Sequence, residues 1–371
     1  MFSSKILGPT IGFFYQLLLK PILFTIDPEK IHDKALVLGN FFGSKKYLRK
    51  LTKICFYYKD KSLEQNILGI NFKNPVGLAA GFDKNGKLIN IVKELGFGFT
   101  EIGSVTGEQC LGNPKPRLWR LPKSKSLAVY YGLANEGAET IAKRAQESFR
   151  NLPIGLNIAK TNHEATNEIE AGINDYLKAW QAVEKTADYI TINISCPNTF
   201  GGQPFIDPNL LERLLSSIGK INYGRKVFVK LSPDINDNQL DNILEVIDRH
   251  KISGIICSNL THDHSRIDNT EKNIKTRGGL SGKVLEDLSN DLLKKVYLKT
   301  NGRYVLIGCG GIFTAQDAYK KIRLGASLVE LITGMIYEGP QLIGTINRGL
   351  VKLLKKDGFN NITEAVGVDC K

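Results

Sequence analysis

At 371 residues the chain has room for one large domain with an appendage, or for two domains. Its 42% apolar and 23% charged residues are ordinary for a soluble globular protein, and six cysteines without a CxxC pair argue against a disulfide framework or a zinc site. The net charge of +13 is uneven: residues 1–61 carry eleven Lys/Arg against four acids, a surplus of seven that nucleic acid, anionic lipid or plain solubility would each explain.

Near the N-terminus Phe13, Phe14, Leu17 and Leu18 fall on one helical face, and Lys20-Pro21 is expected to close that helix. A second helix opens with Asp27 as N-cap, Pro28 at its first position and Glu29 behind it, and Ile31, Ala35 and Leu38 mark an apolar stripe. Two apolar-faced helices among lysines read in two ways. Either they lie on a membrane, apolar face in the bilayer and basic face toward anionic headgroups, or they form an α-hairpin packed inward on the main domain. Residues 1–45 are assigned to this element and 46–66 to a basic linker. No apolar run is read as long enough to span a bilayer, and neither a cleaved signal nor an Arg-rich transit peptide is expected.

Ile67–Phe72 predicts a short strand covering the bottom of the main domain. Eight apolar runs then recur: Val76–Ala80, Phe99–Val105, Ile154–Ala159, Tyr189–Ser195, Val227–Leu231, Gly254–Asn259, Val305–Gly310 and Leu328–Gly334. Helix-like stretches separate most of them, and runs apolar throughout suit parallel strands buried on both faces. The series predicts a (β/α)₈ TIM barrel over 67–358 with a tail at 359–371. A doubly wound sheet is the runner-up, but its dinucleotide fingerprint is missing. Two long loops, Gly107–Tyr131 and Thr261–Gly282, leave the carboxyl ends of strands, where barrel active sites lie.

The strand ends carry two lysines (Lys84, Lys230), four asparagines (Asn157, Asn193, Asn198, Asn259) and the thiol of Cys196, with no His–Asp or paired-acid arrangement. That disfavours hydrolysis by a triad or by two carboxylates. Around Cys196 the bland reading is a strand ended by Pro197 whose polar residues cap a turn. The glycines after the seventh and eighth strands suit a phosphate. Lys230, costly to bury unpaired, suggests an anionic or electron-rich ligand, although a Schiff-base lysine or a structural ion pair fits the same position. No metal is expected, since the pair His262 and His264 reads as part of a solvated loop.

The segments Asn74–Gly86, Gly112–Leu118, Asn193–Thr199, Val229–Asp234, Gly278–Gly282 and Gly308–Ile312, taken in order, resemble the dihydroorotate dehydrogenase family. The N-terminal helices and Asp27-Pro28-Glu29 further resemble its class 2 branch, membrane-associated and quinone-reducing. The resemblance implies FMN held by Ala80, Gly81, Lys84, Ser104, Asn157, Asn193, Lys230, Ser258, Gly282, Gly311, Thr333 and Gly334. It implies dihydroorotate facing Lys84, Asn193, Asn198 and Asn259, with Cys196 as the base that removes the C5 proton while a hydride leaves C6. Lys230 would stabilise charge on the flavin. It also implies a quinone as electron acceptor and a peripheral place on the cytoplasmic side of a bacterial inner membrane, with an anionic membrane surface rather than nucleic acid as partner.

Three departures from the family stand out. Cys196 occupies the position where class 2 enzymes usually carry serine; a thiol of ordinary acidity would be a few per cent thiolate at neutral pH. The substrate loop reads Val129-Tyr130-Tyr131-Gly132-Leu133, with Val129 in place of an asparagine, and Leu260 stands where a threonine is expected. Each lost polar partner is worth about 1–3 kcal/mol if the ligand group stays buried and unpaired. This leaves open an alternative substrate, a less polar ring or ene compound oxidised by the same flavin and quinone chemistry.

Overall fold

The computed structural model describes residues 2–149, 151–196 and 198–370, with side chains from Leu7 onward. Pro197, expected to end a strand, lies outside the described residues. The chain opens with helices α1 (Phe2–Phe14), α2 (Lys20–Thr25), α3 (Pro28–Ser44) and α4 (Lys46–Phe56). A hairpin of β1 (Gln65–Ile67) and β2 (Ile70–Phe72) comes next. The expected single strand over 67–72 is therefore the second half of a hairpin, turned by Leu68 and Gly69, both at positive φ.

Lys20-Pro21 does not end the first helix. A π-helical turn, Tyr15–Leu19, joins α1 to α2, and the Lys20 amide bonds back to the Tyr15 carbonyl. The wider turn accommodates a proline that lacks a donor and would crowd an α-helical carbonyl. As a result Leu7–Thr25 is one helical stretch of 19 residues, long and apolar enough by length and composition to cross a membrane, contrary to the reading that broke it at Pro21. Asp27 does cap α3, accepting from the Lys30 amide at 2.9 Å. The stretch taken as a linker holds α4.

Strands β3 (Val76–Leu78), β4 (Phe99–Val105), β5 (Leu118–Leu121), β6 (Ser126–Val129), β7 (Ile154–Ile158), β8 (Tyr189–Asn193), β9 (Lys226–Leu231), β10 (Gly254–Cys257), β11 (Gly279–Gly282), β12 (Val305–Cys309) and β13 (Leu328–Leu331) complete the sheets. Eight of them close a parallel barrel in the order β3-β4-β7-β8-β9-β10-β12-β13. The expected (β/α)₈ barrel is present. Outside it, β5, β6 and β11 form an antiparallel sheet of their own. The two long loops thus pair with each other, Gly279 opposite Val129 and Gly282 opposite Ser126.

The barrel interior is built in layers because side chains alternate along each strand. Phe99, Tyr189, Phe228, Ile256, Ile307 and Leu328 make an apolar floor, closed from below by Phe72 of the hairpin. The rings fit because neighbouring strands carry glycine. A Cβ at Gly77 would lie 2.3 Å from Phe99, at Gly155 2.2 Å from Tyr189, and at Gly254 2.2 Å from Phe228. Filling this floor makes the barrel a packed core and leaves the carboxyl ends of the strands for the site.

The N-terminal helices do not turn their apolar faces inward. Phe13, Leu17, Ile22, Val37 and Leu38 are each more than half exposed, while Glu29, Leu36 and Gly43 form the buried side of α3. Of the stripe predicted at Ile31, Ala35 and Leu38, the last two are exposed. Polar contacts tie this unit down: Tyr15 Oη donates to the Ile336 carbonyl (2.6 Å) and Gln16 Nε2 to that of Tyr337 (2.7 Å).

Candidate active site

One cavity, about 1260 Å³ of empty space partly open to solvent, lies over the carboxyl end of the barrel. Its walls bring together residues from seven of the eight barrel-strand ends. The β3 end supplies Ala80, Gly81 and Lys84; Ser104 comes from β4; Asn193, Cys196 and Asn198 come from β8 onward. Lys230 stands on β9, Ser258, Asn259 and Leu260 follow β10, Gly311 follows β12, and Thr333 and Gly334 follow β13. The three-stranded sheet and its flank roof it with Val129, Tyr131, Gly132, Leu133 and Gly282. Of the residues expected to hold cofactor, Asn157 alone does not line the cavity. It sits one layer back, accepting from Ser104 Oγ at 2.5 Å and donating to Glu101 at 2.8 Å.

The amides form a continuous network rather than a set of separate caps. Asn193 Nδ2 donates to Ser104 Oγ (2.9 Å), while its Oδ1 accepts from the Ser195 amide (3.1 Å) and from Asn259 Nδ2 (3.3 Å). Asn259 Nδ2 also reaches the Ser195 carbonyl at 3.0 Å. Asn198 Nδ2 donates to the Val129 carbonyl at 2.9 Å, fastening the loop after β8 to the roof. A network of this kind fixes both amide orientation and loop position. Three atoms of cavity-lining residues are left over: Asn198 Oδ1, Tyr131 Oη and His32 Nδ1 are buried with no hydrogen-bond partner among the described residues. Groups in that state suit a polar ligand ring.

Cys196 is partly buried on the same wall. Burial pushes its thiol up to about 11, against the Asn198 backbone N–H and the Lys160 ammonium, which pull it down. The few per cent thiolate expected of an ordinary cysteine is therefore an overestimate for this site. Lys84 moves the other way: burial and then the nearby Arg117 bring it down to about 8, and its Nζ lies 3.8 Å from the centre of the Tyr131 ring. An anion bound beside it would relieve that strain on its charge.

Lys230 is not left unpaired. Its Nζ lies 3.8 Å from Glu101 Oε1 and 3.9 Å from Glu330 Oε2, both fully buried in the barrel. Burial lowers its pKa, and the Cys309 sulfur with the two carboxylates raises it by more, so it stays charged. A Schiff-base lysine needs the opposite shift, and that reading of Lys230 loses its support.

Sequence reasoning passed over the cavity's apolar side, which includes His32 of α3, Leu118, Phe313 and Ile336. His32 Nε2 is 2.8 Å from the Phe82 carbonyl, and burial followed by Lys84 brings its pKa down to about 3, so it is neutral. Arg117, in the Gly112–Leu118 segment, grips Glu29 of α3 through Nε (3.1 Å) and Nη2 (2.9 Å). Against the effect of burial, Arg117 and Lys115 hold the Glu29 carboxyl below its ordinary range. This fork, a charge-assisted pair with two donors on one oxygen, docks the N-terminal helices on the roof.

Residues 62–354 match the family model of dihydroorotate dehydrogenase. The chain belongs to the dihydroorotate dehydrogenase family. It is 38% identical to dihydroorotate dehydrogenase (quinone) of Trichodesmium erythraeum, over 95% of this chain and 98% of that one. The enzyme of the same name from Christiangramia forsetii is 40% identical over 92% and 99% of the respective chains. Among solved structures, DHODH from Eimeria tenella in complex with ferulenol superposes with a TM-score of 0.83 at 30% identity, covering 95% of this chain and 99% of that one. As a family member, the chain is an oxidoreductase of the dihydroorotate dehydrogenase (quinone) type.

Proposed function

We propose that the chain oxidises dihydroorotate to orotate and passes the electrons to a quinone, with FMN bound across the barrel rim. The observation that carries this reading is that one cavity joins a polar wall, Cys196 with three asparagines, to an apolar side beneath the N-terminal helices. A planar cofactor fits the donor set. At Gly81 an added Cβ would meet only Ile332 Cδ1, at 3.6 Å, so the missing side chain leaves cavity space there. Gly311 and Gly334 bring backbone to the wall where a phosphate would bind, and Ser104, Asn193, Lys230, Ser258, Gly282 and Thr333 offer the remaining contacts. When bound, FMN supplies the hydride acceptor and the link to quinone.

The chain's own residues then have distinct tasks. Cys196 takes the C5 proton of dihydroorotate. Asn193, Asn198 and Asn259 hold the ring in register, with the unpaired Asn198 Oδ1 accepting from a ring N–H. Lys84 faces the substrate carboxylate, an anion that raises its depressed pKa toward the ordinary lysine range. Val129 and Leu260 need not signal another substrate. The Val129 carbonyl already fixes Asn198, and relatives 37–40% identical are named for dihydroorotate.

The exposed Phe13, Leu17, Ile22, Val37 and Leu38 would lie in the bilayer surface, bringing the apolar side of the cavity to the quinone. The tethers from Tyr15 and Gln16 to the barrel favour a helix lying on the membrane over one crossing it. Turnover with dihydroorotate should be supported by a short-chain ubiquinone and not by NAD or fumarate, and the protein should sediment with anionic phospholipid vesicles. Turnover with NAD or fumarate alone would reject the quinone assignment.

A further inference from the structure

Directly above the aromatic floor lies a layer of charge. Alternation along the strands places Glu101 two residues beyond Phe99, Thr191 beyond Tyr189, Lys230 beyond Phe228 and Glu330 beyond Leu328. Lys230 reaches the cavity from this layer, whereas Glu101 and Glu330 are fully buried. One ammonium facing two fully buried carboxylates leaves a surplus negative charge out of contact with solvent, and that is too costly to keep. When two like charges share a site, one group retains its proton.

Geometry says which. Glu101 is furnished as an anion: Oε1 accepts from Asn157 Nδ2 at 2.8 Å and Oε2 from Thr191 Oγ1 at 2.7 Å. Among the described residues, neither oxygen of Glu330 has a hydrogen-bond partner. The anion is therefore stabilised on Glu101 and the proton remains on Glu330.

We propose that Glu330 is a positioning residue held as a neutral carboxylic acid, which balances the charged layer and keeps the Lys230 ammonium available to the flavin. This rests on the reading of the cavity as an FMN site. The titratable groups facing Glu330 agree with it from each packed strand. Glu101 on β4 is the paired anion and Lys230 on β9 the cation. Tyr189 on β8 and Cys309 on β12 are both raised by burial, Cys309 to about 11, and remain neutral. Burial first, and Glu101 next, hold the Glu330 carboxyl well above the ordinary range.

Infrared difference spectra of the flavin-loaded enzyme, reduced minus oxidised at neutral pH, test this. The wild type should show the C=O stretch of a protonated carboxylic acid, displaced on reduction and shifted in D₂O. Glu330→Gln should lose that band. The variant's flavin midpoint potential should match the wild type at neutral pH, and the two should diverge only in alkali, where ionised Glu330 lowers the wild-type potential. Should Glu330→Gln fold poorly, Glu330→Met and the wild-type band itself serve. Loaded wild-type enzyme without the band, or a Glu330→Gln potential raised at neutral pH, would overturn the proposal while leaving the FMN site standing. Protein that takes up no flavin would overturn the underlying reading instead.

Discussion

Replacing Cys196 by alanine should slow flavin reduction by dihydroorotate about 10²–10⁴-fold, the usual worth of a general base, without loss of bound flavin. The thiol stands on the polar wall, among residues whose amides are already bonded to one another, so its removal leaves that scaffold in place. The pH profile adds a second check. With the thiol pushed up to about 11, the thiolate fraction rises tenfold per pH unit through neutrality. Wild-type reduction should therefore accelerate with slope one in log rate from neutral pH into alkali. The alanine variant should lose that slope, and stopped-flow absorbance reads both.

Lys230→Met should be the most damaging change in the barrel. It strips the cation from Glu101, which is fully buried and held as an anion by Asn157 and Thr191. Breaking a buried pair from one side costs about 3–5 kcal/mol, because the remaining charge is stranded. Denaturant unfolding should show a loss of that size together with loss of flavin. The double variant Lys230→Met/Glu101→Gln should recover most of the stability and none of the activity. Unchanged stability in the single variant would show that the pair carries no weight.

The barrel was legible in the sequence because its strands are buried on both faces and therefore read as continuous apolar runs. Their C-terminal ends were placed too late at Ala80, Ser195 and Gly310, since apolar or small residues run on after ladder pairing stops. The roof was not legible as a sheet. Gly279–Gly282 has no strand character by itself, and its partner Ser126–Val129 lies about 150 residues earlier. Pairing across that distance leaves no local pattern.

The site residues were legible for the same reason as the strands. Once the strand ends were found, the site residues standing on them were found too, and all of these but Asn157 meet at one cavity, whereas Val129, Tyr131, Gly132, Leu133, Leu260 and Gly282 followed only from the family resemblance. The partners of Lys230 were within reach and missed. Glu101 in Phe-Thr-Glu-Ile and Glu330 in Leu-Val-Glu-Leu are single acids inside apolar strands, a pattern that makes sense only if a cation waits inside the barrel. The helix break at Pro21 failed because a π-turn, invisible to residue spacing, absorbed the proline.

The most direct test of the central claim is anaerobic mixing of the purified, flavin-loaded protein with dihydroorotate while flavin absorbance is followed. The flavin should bleach, orotate should accumulate one for one, and added ubiquinone should restore the oxidised spectrum. Flavin that stays oxidised in the presence of dihydroorotate would contradict the account.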